Sequence, residues 1–137
     1  MTRYLLDTNI ISNMIKPEPS TALAAWMLEQ RGSDLFVASW TMAEIRRGIL
    51  CMPQGRRRDR LEEWFASEGG PVEMFAGRIL PFDEQAALAY ATLPFRRASY
   101  DRLIAAHALA LDVTLVTANE RDFADIQGLR VENWIAA

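Results

Sequence analysis

A three-layer α/β/α sandwich around a mainly parallel central sheet is the fold class this sequence predicts, and three observations predict it. Short apolar runs at 4–7, 34–38, 78–81, 114–117 and 130–132 alternate with stretches whose apolar residues recur at helical spacing. Strands that alternate with helices imply parallel pairing and a sheet covered on both faces. Size is the third: 137 residues make most simply one domain, 1–137, able to bury roughly two thirds of its unfolded surface without a disulfide or structural metal.

Taken in order, the first strand ends on Asp7 and hands over at once to a short helix over 8–15. Ile10, Ile11, Met14 and Ile15 are spaced there for burial, and Pro17 and Pro19 stop it. A helix over 20–30 places Leu23, Trp26 and Met27 on one face and ends at Gly32. After the strand at 34–38, a third helix begins near Ser39 or Thr41, carries Met42, Ile45, Ile49 and Met52, and stops at Pro53. Residues 59–65 read as a fourth helix, led by an Arg-rich turn and closed by Gly69-Gly70-Pro71; 72–76 give no assignment. The strand at 78–81 precedes a helix that Asp83 can cap and that runs to about residue 93. Beyond Pro94 comes a helix from Ser99 or Tyr100 to Leu111, whose Tyr100, Leu103, Ile104, His107, Ala108 and Leu111 form an apolar stripe. The β-branched run 114–117 is the clearest later strand, followed by a turn of helix at 120–123 and a last strand near 130–132. No repeat, linker or low-complexity tract divides the chain.

Half the residues are apolar and 24% are charged, the balance of a soluble globular protein. The N-terminal apolar run is broken by Asp7, so no cleavable signal is expected, and no run approaches the ~20 apolar residues of a spanning helix. A cytoplasmic location is the expectation, and the lone Cys51 fits a reducing compartment. The net charge of −3 is not that of a general nucleic-acid binder. Arg46, Arg47, Arg56, Arg57, Arg58 and Arg60 nevertheless fall close together, and Lys16 is the only lysine.

In open α/β sheets, sites form outside the carboxyl ends of the strands. Four acids occupy such places or nearby first helical turns: Asp7, Glu44, Asp101 and Asp122. Each has a plain structural reading. Asp7 can cap its helix; Thr41-Met42-Ala43-Glu44 fits a capping box; Asp101 and Asp122 suit helix dipoles. Those readings do not explain why all four acids fall on one edge. Two unit charges about 4 Å apart repel by roughly 4 kcal/mol at an effective dielectric near 20, so such a cluster raises pKa values or recruits a divalent cation. With Thr8, Thr117 and Asn119 beside them, the oxygen-rich set suits Mg²⁺ or Mn²⁺ rather than zinc. An all-carboxylate site of this kind serves phosphoryl chemistry, whereas a metal-free ribonuclease wants acid–base pairs from His and Lys, of which the chain has one each. His107 lies on an apolar stripe and reads as a core or interface residue, and Cys51, between Leu50 and Met52, reads as buried and inert. No P-loop, G-x-G-x-x-G or G-x-S-x-G is present.

The residues Leu6-Asp7-Thr8-Asn9-Ile10-Ile11-Ser12, then 39–49 around Glu44, Tyr100-Asp101-Arg102-Leu103-Ile104, 115–123 around Asp122, and the closing 128–134 stand in an order that resembles the PIN-domain ribonucleases, and within them the VapC-type toxins of bacterial toxin–antitoxin pairs. The resemblance covers nearly the whole chain. It implies a PIN-like parallel sheet with an acidic pocket for Mg²⁺ or Mn²⁺ and endonucleolytic cleavage of structured cellular RNA of the tRNA or rRNA class, which inhibits translation. Asp7, Glu44, Asp101 and Asp122 match the family's acidic quartet; Asp7 and Asp101 would hold the metal, with Glu44 and Asp122 acting directly or through water. Thr117 and Asn119 match the polar companions of the last acid. The resemblance also implies a homodimer and a small cognate antitoxin whose C-terminal segment blocks the pocket, with possible assembly into a larger toxin–antitoxin complex. One departure is the short stretch before Asp101, which lacks the usual Gly-containing turn.

The arginines admit two readings, contacts to RNA phosphates or an acidic partner stretch, and a solvated helix face with an Arg58–Glu62 pair worth a few tenths of a kcal/mol. Two rival functions remain: a non-catalytic PIN-fold binding module, and a phosphotransferase with Asp7 as nucleophile. The second expects another Asp two residues on, where this chain has Asn9.

Overall fold

The computed structural model describes residues 2–94 and 100–135. Its elements are β1 (Tyr4–Leu6), α1 (Thr8–Met14), α2 (Thr21–Glu29), β2 (Leu35–Ala38), α3 (Ser39–Leu50), α4 (Arg56–Ala66), α5 (Pro71–Met74), β3 (Ile79–Leu80), α6 (Glu84–Ala91), α7 (Tyr100–Leu111), β4 (Thr114–Val116) and β5 (Val131–Glu132), with 3-10 turns at Gly32–Asp34 and Glu120–Phe123. The short stretch before Asp101, at 95–99, lies outside the described residues.

The five strands form a parallel sheet in the order β3-β2-β1-β4-β5. Tyr4 of β1 pairs with Leu35 on one side and Thr114 on the other. The chain moves outward from β1 to β2 and β3, then crosses back over β1 to β4 and β5. Connections leaving β1 and β4 therefore run in opposite directions, and a crevice opens at their carboxyl ends. Asp7 and Thr117 are the first residues beyond those two strands.

Successive strand residues point to opposite faces, which divides the core in two. Leu6, Val37 and Val116 pack with Ile10, Ile11, Leu23, Trp26, Ile45, Ile49 and Phe75, so α1 to α5 cover one face. Leu5, Ala38 and Leu115 pack with Ile104, Ala105, Ala108, Phe123 and Ile126, so α7 and the turn after β4 cover the other. This is the expected three-layer sandwich. Among the described residues no helix is long and apolar enough to cross a membrane.

Three local expectations are corrected, and the unassigned stretch after Gly70 gains a structure. Ile15 is 39% exposed because α1 closes at Met14 and Ile15 is its C-cap. The fourth helix begins at Arg56 rather than at residue 59; arginine is a good helix former, so 56–58 occupy helical positions instead of a turn. Residues 71–74 form a short helix with Pro71 in its first turn, where a missing N–H costs nothing, and they seat the buried Phe75. Cys51 is exposed, since α3 ends at Leu50 and turns it off the core.

His107 is 2% exposed, packs edge-on to Phe82 with ring centroids 5.4 Å apart, and its Nε2 has no hydrogen-bond partner. Burial holds its pKa below the ordinary imidazole value, with the Asp83 charge opposing in part. Below that ordinary value the unfolded chain binds the proton that the folded state resists, so stability falls as pH falls. His107→Leu is expected to flatten the decline of urea-unfolding stability that the wild type shows as pH falls below the ordinary imidazole value. A methyl group at Gly70 would overlap the Trp64 carbonyl oxygen. Gly70→Ala is therefore expected to lower the same unfolding free energy by more than about 2 kcal/mol.

Candidate functional site

The site is built on the two strands that flank the crevice. Asp7 is 3% exposed and caps α1, its Oδ1 accepting from Thr8 N at 2.8 Å. That bond uses one oxygen only. The other, Oδ2, accepts from Thr117 Oγ1 at 2.8 Å and from Asn9 Nδ2 at 3.3 Å. A hydroxyl has one proton to give and two lone pairs, and Thr117 uses them all. It donates to Asp7 and accepts from Asn9 Nδ2 at 3.3 Å and Asn119 N at 3.0 Å. Asn9 is held in turn by Ala118 N, which donates to its Oδ1 at 3.0 Å. The network therefore fixes the direction of every proton around Asp7 and presents donors only, the arrangement suited to an ionised carboxylate.

Glu44 approaches from α3. The capping-box reading does not hold, because α3 starts at Ser39 and Thr41 is fully buried within its first turns. Glu44 Oε1 instead accepts from Thr8 Oγ1 at 2.6 Å. Thr8 thus serves two acids, Asp7 through its backbone and Glu44 through its hydroxyl, and the hydroxyl beside Asp7 belongs to Thr117. Asp101 sits in the first turn of α7, half-buried. Asp122 lies in the exposed 3-10 turn after β4.

Burial raises the pKa of Asp7, Glu44 and Asp101. Mutual repulsion adds to it: Asp122 acts on Asp7, Asp7 and Asp101 act on Glu44, and Asp7 and Asp122 act on Asp101. Hydrogen bonds from Thr117, Thr8 and Asn9 pull Asp7 back, Thr8 does so for Glu44, and the Arg102 charge for Asp101. All four sequence-predicted acids lie within one electrostatic neighbourhood. Among the described residues, however, no three acidic, His or Cys side chains close on a common point as a ready-made metal cage. An open set of hard oxygens still fits Mg²⁺, which keeps several waters and takes one or two carboxylates plus substrate phosphate.

Two contributors were not anticipated. Asn9 is the hub between Asp7, Thr117 and Ala118; a polar residue two positions past a strand-ending acid was its only signal. Arg102 is 5% exposed and pairs with both oxygens of Asp125 at 2.9 and 3.1 Å, tying the Asp101 helix to the segment that carries Asp122. Asn119 contributes its backbone N–H to Thr117 and its carbonyl to Asp122 N.

The arginines divide. Arg46 and Arg58 share Glu62, at 3.1 and 3.7 Å, so the Arg58–Glu62 pair of the solvated-face reading forms. Arg47, Arg56, Arg57 and Arg60 are exposed and form no ion pair among the described residues.

A family model described as PIN domain matches residues 4–129. Toxin FitB of Neisseria gonorrhoeae is 36% identical over 102 residues, covering 74% of this chain and 72% of FitB. VapC ribonuclease Y4jK of Sinorhizobium fredii is 42% identical over 89 residues, covering 65% of this chain and 62% of Y4jK. Among solved structures, FitAB bound to an IR36 DNA fragment contains a chain that superposes with a TM-score of 0.84 at 33% identity, covering 95% of this chain and 94% of that one.

Raised carboxylate pKa values mean that the folded, metal-free protein binds more protons than the unfolded chain from the ordinary carboxylate range up to the raised value. Its stability therefore declines as pH rises through that window. Asp101→Asn, which accepts no described hydrogen bond that it would lose, is expected to raise the thermal midpoint in EDTA by a few degrees. That corresponds to at most about 1 kcal/mol after solvent screening. The gain should vanish at acid pH, where both side chains are neutral. Thr117→Val leaves a buried Asp7 oxygen short of its O–H donor and is expected to cost about 1–3 kcal/mol in the same measurement.

Proposed function

The chain belongs to the PIN-domain family, and from that premise we propose that it is a Mg²⁺- or Mn²⁺-dependent endoribonuclease toxin. Its substrate is structured cellular RNA of the tRNA or rRNA class, and a cognate antitoxin neutralises it. The observation that carries the reading is the buried Asp7, held by three donors at the switch point with the charges of Glu44, Asp101 and Asp122 around it. Similarity to Y4jK, a VapC ribonuclease, and to FitB, a toxin, supports it.

Asp7 and Asp101 would hold the cation, with Glu44 and Asp122 reached directly or through water. When bound, the metal supplies an activated water and charge neutralisation at the phosphodiester. The chain's own residues do the rest. Thr117, Thr8 and Asn9 keep Asp7 an acceptor. The Thr8 hydroxyl orients Glu44. The Arg102–Asp125 pair fixes Asp101 relative to the Asp122 turn, whose exposed acid faces incoming solvent or substrate.

An apolar hollow of about 460 Å³ between α1 and α2, lined by Met14, Leu23, Met27 and Leu28, offers a seat for apolar residues of the antitoxin. Leu28 is 88% exposed beside it, and pliable Met side chains suit such a surface. Homodimerisation and a cytoplasmic site of action belong to the same reading.

Asp7→Asn or Asp101→Asn is expected to lower RNA cleavage by the purified protein more than about a hundredfold and to relieve growth inhibition, with circular dichroism unchanged. Excess EDTA should do the same to the wild type. Mn²⁺ at a hundred times its dissociation constant should stabilise the wild type by about 2.7 kcal/mol, but not Asp7→Asn. Full cleavage in either variant or in EDTA would refute the nuclease reading. Partner binding without Mn²⁺ stabilisation would indicate a non-catalytic module.

A further inference from the structure

Three residues of α3 bring a base-sized surface, an acid and a cation onto one edge of one helix. Trp40, Glu44 and Arg47 stand at i, i+4 and i+7, beside the buried stripe of Thr41, Ile45 and Ile49. Arg46 points to the other edge, where Glu62 of α4 binds it. Trp40 is half-buried and its ring lies 5.8 Å, centroid to centroid, from that of Tyr100, the residue immediately before Asp101. The indole N–H of Trp40 is sealed from solvent, so the part of the side chain that shows outward is apolar. Arg47 is exposed and forms no ion pair among the described residues. At 1.5 Å per residue, Trp40 and Arg47 are about 10 Å apart along the axis, the length of roughly three stacked nucleotides.

We infer that this edge is the substrate track: the Trp40–Tyr100 pair receives a nucleobase of an unpaired RNA strand by stacking, and Arg47 holds a phosphate, with Glu44 and Asp101 between them. The inference rests on the RNA-cleaving reading above and adds where the strand lies. An aromatic surface with no hydrogen-bonding edge accepts any base, because every base has a π-face. The arginine fixes register through the backbone. A chain with net charge −3 that must bring a polyanion to four acids needs a local cation of this kind.

The test is the affinity of the full chain for a labelled single-stranded RNA oligonucleotide, read by fluorescence anisotropy in EDTA across a salt series. Arg47→Ala is expected to reduce the slope of log affinity against log salt by about 0.7. Trp40→Leu and Tyr100→Leu should weaken binding between about fivefold and a hundredfold with the slope kept, and Trp40→Phe should retain most of the affinity. Unchanged affinity in both Leu variants together with an unchanged slope in Arg47→Ala overturns the track. If in that case the wild type still cleaves RNA once Mg²⁺ is supplied, the nuclease reading survives and the edge is left to a protein partner. A wild type that neither binds RNA in EDTA nor cleaves it with Mg²⁺ supplied overturns both. If the Leu variants lose their helical circular dichroism, the slope for the exposed Arg47 decides alone.

Discussion

The hydrogen bond from Thr117 to Asp7 joins the two strand ends that flank the switch point, and it does so out of water. Asp7 is 3% exposed and Thr117 fully buried. A carboxylate in that position is stable only with its oxygens met by donors, and the neighbouring residues are disposed accordingly. Asn9 bridges both partners, Asn119 and Ala118 lend backbone N–H groups, and Thr8 caps one oxygen while its hydroxyl holds Glu44. The sheet order supplies the meeting point, and the meeting point dictates which polar residues can follow each strand.

This arrangement stores repulsion. Burial and neighbouring acids push Asp7, Glu44 and Asp101 in the same direction, toward protonation. In the proposed function such an edge gains from a cation, since the charges that repel one another in the free protein would be balanced in the bound one. The Arg102–Asp125 pair limits how far the helix and the turn can move apart to relieve the strain. In the proposed function, stability and metal affinity are thus set by the same residues with opposite signs.

Much of this was legible before any coordinates. A strand that stops at an acid, Leu6-Asp7-Thr8, and a β-branched run ending at Thr117 are local patterns, and parallel packing brings their ends together. The three layers followed from alternation alone. What stayed hidden depended on partners far away in sequence. Thr41 and Glu44 fit a capping box locally, yet Thr8, 36 residues away from Glu44, claims the carboxylate. Asn9 looked like a motif letter until Ala118 and Thr117 arrived from 109 and 108 residues away. Arg102 sat inside an apolar helix with nothing nearby in sequence to announce Asp125. The exposure of Cys51 and Ile15 is hidden for a smaller reason: each lies just past a helix end, where periodicity no longer reports direction.

The span between Asp7 and Thr117 is 110 residues, and it has a consequence for synthesis. Ribosomes add about 5–20 residues each second, so Asp7 emerges several seconds or more before Thr117 and Asn119 exist, and β4 cannot complete the crevice until then. A nascent chain therefore carries its first acid without the hydroxyl that orders it. In the proposed function, a toxin made beside the RNAs it attacks gains its working site only once β4 and the turn after it have been translated.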